Sequence, residues 1–109
     1  MKNSFKQVKL QGWPSGDCEA IAILREEPAA LARRAGLAFE RGVDDLDQFW
    51  AATIRLPSQR QLLLMRYDGY PHPGTEVYAD KRDNREAARA ELLEALGLRG
   101  DSFSWTSDG

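Results

Sequence analysis

The chain has one cysteine and one histidine, which leaves most metal and thiol chemistry without ligands. Cys18 alone provides neither an intrachain disulfide nor a thiolate zinc set, and a site built on two histidines is excluded by count. Basic excess is missing too: 15 Lys and Arg stand against 17 Asp and Glu, a net charge of −2. Nucleic-acid binders normally carry a basic stripe, so nucleic acid is not an expected partner, and the acidic excess is too mild for a nucleic-acid mimic. No run approaches the ~20 apolar residues of a membrane span. The opening MKNSFKQVKLQGWPSGD lacks the apolar stretch of a secretory leader. The expectations are a cytoplasmic protein and no membrane partner. Neither Gly-x-x-x-x-Gly-Lys nor Gly-x-Gly-x-x-Gly occurs, so no phosphate cradle and no cofactor is predicted. Internal repeats and low-complexity tracts are also absent.

What is present is an ordinary globular composition, 42% hydrophobic and 29% charged over 109 residues. A chain of this length buries roughly 65% of its unfolded surface, enough for one core without staples. Residues 1–109 therefore read as one α+β domain, with 1–16 either a short edge strand or a loosely held arm. The wording rich in Ala, Arg and Leu points to a GC-rich bacterial genome.

The strongest local signal lies in residues 48–67. Trp50, Ala52, Ile54 and Leu56 share one strand face, Phe49, Ala51, Thr53 and Arg55 the other. Pro57-Ser58-Gln59-Arg60 is a four-residue turn, and 61–67 returns as the second strand of an antiparallel hairpin. Trp50 is expected in the hairpin core. Leu62 to Met65 is apolar on both faces, the mark of a strand covered twice, by helix or by a partner chain. Residues 75–79 make a third strand, and 18–24 is apolar and β-branched enough for another. Leu37 to Arg41 fits a short strand or a resumed helix, and 102–106 an edge strand or pinned tail.

Two helices are predicted. Pro28 opens a short one, after Glu26 and Glu27 and before Arg33, Arg34 and a left-handed stop at Gly36. The second runs over 84–96, with Asp83 as N-cap and Glu86 as its capping-box partner. Ala88, Leu92, Ala95 and Leu96 form its apolar stripe, and Arg85, Glu86, Arg89 and Glu94 its wet side. Gly97 ends it, with Leu98 folding back on Leu93. The expected architecture is α+β: an antiparallel sheet of about four to five strands, the C-terminal amphipathic helix on one face, and the shorter helix beside it or at its edge.

Candidate chemistry centres on DGYPHPGTEVYAD, residues 68–80. Pro71 and Pro73 stiffen the backbone and present His72 on a rigid ridge. An imidazole acts as acid, base or ligand only with a companion, and Asp68 and Glu76 each stand four residues away. Cys18 opens an apolar run with nothing to lower its pKa, so it reads as a structural thiol rather than a partner for His72. Asp44, Asp45 and Asp47 lack the spacing of a calcium loop and read as a solvated turn. Glu40, Arg41, Arg55, Arg66, Asp68 and Glu76 fit strand-face ion pairing. No motif is specific for a reaction, and no catalytic residue or metal ligand is assigned.

Recognition fits better. Tyrosine offers broad amphipathic contact at low entropy cost, and a loop already stiffened by proline loses little more on binding. Trp13 and Trp105 lie in turn-rich or terminal segments, where large rings fold back or join an interface. The expected partner is another protein, touched by Tyr67, Asp68, Tyr70, His72, Glu76, Tyr78 and Trp105. Small cytosolic chains without motifs include many immunity proteins and antitoxins, an analogy of class only. A homodimer through strand 62–65 is compatible with that function. The alternative is a small-molecule-binding or enzymatic domain using Arg, Asp, Glu and His around strands 49–56, 61–67 and 75–79.

Overall fold

Pairing of residues 49–55 with 61–67 organises the molecule. The computed structural model describes residues 5–9 and 17–107. In chain order the elements are β1 (Lys6–Val8), β2 (Cys18–Leu24), α1 (Pro28–Ala35), β3 (Glu40–Val43), β4 (Gln48–Arg55), β5 (Gln61–Tyr67), β6 (Thr75–Asp80), α2 (Arg85–Leu96) and β7 (Phe103–Thr106). Among the described residues the strands form one antiparallel sheet of order β1-β4-β5-β6-β2-β7, with β3 also on β4. β1 pairs with Thr53 to Arg55 and β3 with Gln48 to Ala51, so two short strands lie end to end along one edge of β4.

The protein is thus α+β, but among the described residues its sheet has seven strands rather than four or five. The additional strands are edge pieces of three or four residues, set by their pairing rather than by a pattern of their own. Within residues 1–16, Lys6 to Val8 is sheet rather than loose arm, while Trp13 and its turn lie outside the described residues. The ambiguous stretch after Leu37 resolves as strand β3, not a resumed helix.

Alternation sorts the side chains. One face contributes Ile54, Leu62, Leu64, Val77 and Ala79 to a cluster that also holds Leu31 and Ala35 of α1 and Ala88, Leu92, Ala95 and Leu96 of α2. On the other face Phe49, Ala51, Leu63 and Met65 form a smaller cluster, flanked by Tyr67 and Tyr78. The Leu62 to Met65 run is buried on both faces, as a continuously apolar strand requires. A register shift between Ala20 and Ala22 places Ile21 and Ala22 both in the larger cluster.

Helix ends follow local chemistry. Pro28 occupies the first turn of α1, and Gly36 closes it at φ 72°. At α2 the cap is Asn84, whose Oδ1 accepts from the Ala87 N–H at 2.9 Å, not Asp83. Asp83 is instead drawn to the Arg60 guanidinium at 2.8 Å. Leu98 N–H donates to the Leu93 carbonyl at 2.7 Å, closing the helix as expected. Arg85 and Arg89 are not on a wet side: Arg85 Nε lies 3.0 Å from Glu19, and Arg89 donates to the Ile21 carbonyl at 3.0 Å. Both long side chains reach over β2 and shed part of their water there.

Trp50 does not join the hairpin core. It alternates with Ala52 and Ile54 but stands at the end of that row, opposite Arg66, and is 41% exposed.

One ionic cluster sets an acid limit on stability. Arg60 joins Asp83 to Glu91, and Glu91 also accepts from the Ser58 hydroxyl (2.6 Å) and backbone N–H (3.0 Å). Partial burial opposes ionisation of Glu91, but the Ser58 donors and Arg60 prevail and hold its carboxyl below the ordinary value of 4.5. A depressed folded pKa contributes stability above the unfolded value and loses it as pH falls through the folded one. Glu91→Gln is therefore expected to cost about 1–3 kcal/mol at pH 7. That deficit should shrink as the pH drops below 4.5, as read from denaturation midpoints at both pH values. A gap independent of pH would refute it.

Candidate functional site

Residues 68–74 connect β5 to β6 and are pinned at both ends. Asp68 N–H donates to the Gln48 carbonyl at 2.9 Å, and Gly69 N–H to Asp47 Oδ2 at 2.7 Å. At the other end Arg66 Nη1 donates to the carbonyls of His72 (2.7 Å) and Gly74 (2.9 Å). Glu27, at the start of α1, accepts from Gly74 N–H at 2.7 Å and lies 3.3 Å from Arg66 Nε. These bonds, with Pro71 and Pro73, fix the segment as a raised ridge.

A cleft lies on each side of it. The first, about 570 Å³, is lined by Phe39, Trp50, Ala29, Ala32, Arg66 and Asp68, among others. The Arg41 guanidinium lies 4.6 Å from the Trp50 ring centre and makes two 2.8 Å hydrogen bonds to Asp68. Those bonds hold the Asp68 carboxyl below its usual range. The second cleft, about 540 Å³, is lined by Tyr70, His72, Glu76, Trp105, Ile23 and Pro73, among others. Tyr70 and His72 meet edge to face at 5.5 Å. Trp105, on β7 opposite Ile23, is 46% exposed.

Of the seven residues singled out from sequence, four (Tyr70, His72, Glu76, Trp105) share the second cleft, while Tyr67 and Asp68 line the first. Tyr78 is half-buried beside the smaller cluster, and its hydroxyl lies 3.3 Å from Glu76. Burial first, then nearby carboxylates, raise the Tyr67 and Tyr78 phenols above their ordinary value. Tyr67 donates to Asp44 at 2.5 Å, and Asp44 also accepts from the Leu46 and Asp47 N–H groups, so this acid shapes a turn.

The postulated companions of His72 are engaged elsewhere: Asp68 with Arg41, and Glu76 with Tyr78. Cys18 pairs in register with Asp80, whereas His72 lies beyond Thr75 at the opposite end of β6. Burial raises the half-buried Cys18 thiol above its ordinary value, away from the thiolate. No group of three potential metal-binding side chains gathers among the described residues. Arg55 lies at the far end of β4 from Trp50, so the charged residues on these strands do not converge on one cleft.

The cleft walls missed from sequence are Phe39 and Trp50, whereas Arg41 makes the strand-face ion pair expected of it, with Asp68. A signal for Trp50 was available: a turn at 57–60 fixes a register in which Trp50 faces Arg66, a cross-strand partner that does not belong in a core. Among the described residues, no helix is long and apolar enough to cross a membrane. Comparison with protein-family models, curated proteins and solved structures found no match to this chain.

Proposed function

We propose that this protein is a non-catalytic binding module that docks on another protein through the ridge 68–74 and its two flanking clefts. The favoured partner is a toxin or enzyme that it neutralises by contact, in the manner of bacterial immunity proteins and antitoxins. One observation carries the reading: a rigid proline-stiffened ridge stands between two grooves, and each groove is walled by a half-exposed tryptophan. Ring-rich, pre-ordered surfaces of this kind yield binding hot spots, because little entropy is lost when they are covered. The polar groups around them are held in pairs with one another, Arg41 with Asp68 and Arg66 with Glu27, an arrangement suited to orienting a partner.

The test begins with affinity capture of a partner from the source organism, followed by reconstitution of the complex from purified components. A one-to-one complex that suppresses the partner's activity is expected. Trp105→Ala should weaken it by about 30-fold or more, as loss of a 2 kcal/mol hot spot requires. Arg66→Met, which releases the ridge, should weaken it similarly while leaving the thermal transition cooperative. A complex indifferent to both substitutions would refute this surface. Failure to capture any protein, with a saturable thermal shift from a small molecule, would favour a second reading. In that case the ligand site is the first cleft, where Phe39 and Trp50 supply apolar walls.

A further inference from the structure

The second sheet face presents a straight cross-strand row: Ala51, Met65, Glu76, Ile23 and Trp105. One member of that row is out of place. Glu76 sits between Met65 and Ile23, partly buried, and forms no ion pair among the described residues. Glu19, Glu26, Asp83 and Glu91 are also partly buried, and each has an arginine at 3.0 Å or closer. The nearby Arg66 is committed to Glu27 and to two ridge carbonyls, and its guanidinium lies 6.0 Å from the Tyr70 ring centre.

We infer that the cleft formed by Tyr70, His72, Trp105 and Glu76 is a subsite for a guanidinium group, the side chain of an arginine on the partner protein. Carboxylates taken from water are stable when a cation shares the cavity, and aromatic walls attract the same cation through their ring faces. Guanidinium is favoured over ammonium because it is planar, stacks on rings and sheds its water more readily. Burial has already pushed the Glu76 carboxyl above its ordinary value, and an incoming cation would draw it back. Beside Glu76 the cleft is also lined by Ile23 and Ala20, which would receive the methylene stem. This subsite rests on the protein-binding reading for the source of the arginine, but it is tested without any partner.

The test is a titration of isotope-labelled protein with N-acetyl-arginine methylamide, followed by NMR. Saturable shifts at Tyr70, Glu76 and the Trp105 indole N–H are expected, with a dissociation constant on the order of 1–10 mM. The neutral citrulline analogue should bind at least about tenfold more weakly. Glu76→Gln should abolish the difference between the two probes while keeping or raising the unfolding temperature, since it removes a partly buried carboxylate whose ionisation burial opposes more than Arg66 supports. Trp105→Leu should weaken the arginine probe and leave the dispersion of the spectrum intact. Equal binding of arginine and citrulline, or no saturation, would overturn the subsite. Tighter binding of the lysine analogue would overturn the guanidinium assignment. None of these outcomes depends on whether a protein partner is captured.

Discussion

Gly74→Ala is expected to destabilise the protein by about 3–5 kcal/mol, in the range reserved for backbone strain and buried clashes. Gly74 is buried at φ 105°, where L-residues are strained, and a Cβ there would fall 2.1 Å from the Leu24 carbonyl oxygen. That oxygen belongs to β2 and has no flexible end to swing aside. The side-chain Cγ2 of Ile23, at 3.2 Å, closes the same space. Relief would require moving the ridge, which breaks the bonds from Gly74 to Glu27 and Arg66. Gly36→Ala is the matched control: its φ is also positive, 72°, but nothing lies within 4 Å of the new carbon. It should cost only about 1–2 kcal/mol, the price of the left-handed conformation alone. Urea denaturation of the two variants checks the contrast, and similar midpoints would show that the clash is absent.

Leu64→Ala is expected to cost about 3–5 kcal/mol. The side chain is fully buried on the face of β5 that joins the larger cluster, between Ala52 on β4 and Val77 on β6. Small and β-branched neighbours cannot swing in to fill the space, so the cavity persists. Trp50→Ala removes a far larger side chain, yet it should cost less, about 1–2 kcal/mol, because much of that ring already faces water. The order of the two losses, read from thermal midpoints, decides whether Trp50 serves the core or the surface. A larger loss for Trp50 would return it to the core and remove one wall of the first cleft.

Much of this architecture was legible because local signals and tertiary demands agree. The hairpin at 48–67 follows from alternation plus a four-residue turn, and both helices follow from proline, glycine and apolar spacing. Disagreements arose where a residue had two good partners. Asp83 was eligible as a cap, but the Arg60 Nε–H, shared between its two carboxylate oxygens, makes a charge-assisted contact stronger than a neutral cap, and Asn84 took that role. Arg85 and Arg89 occupy polar positions of the helix pattern, but their length lets them reach β2. The ridge was legible from Pro71 and Pro73 alone. Its two clefts were not, because they also need Phe39, Ile23 and Trp105, brought in by segments whose order in the sheet no local pattern encodes.

The rims of the sheet carry a consequence of their own. On one side β1 offers three residues and β3 four, each shielding only part of β4; on the other, β7 offers four and slips register beside Leu24. Among the described residues such broken borders give an incoming strand no long ladder to extend, which discourages edge-to-edge association of copies. Backbone groups at these borders are therefore offered in short, interrupted runs, and most of the sheet's outline is side chain.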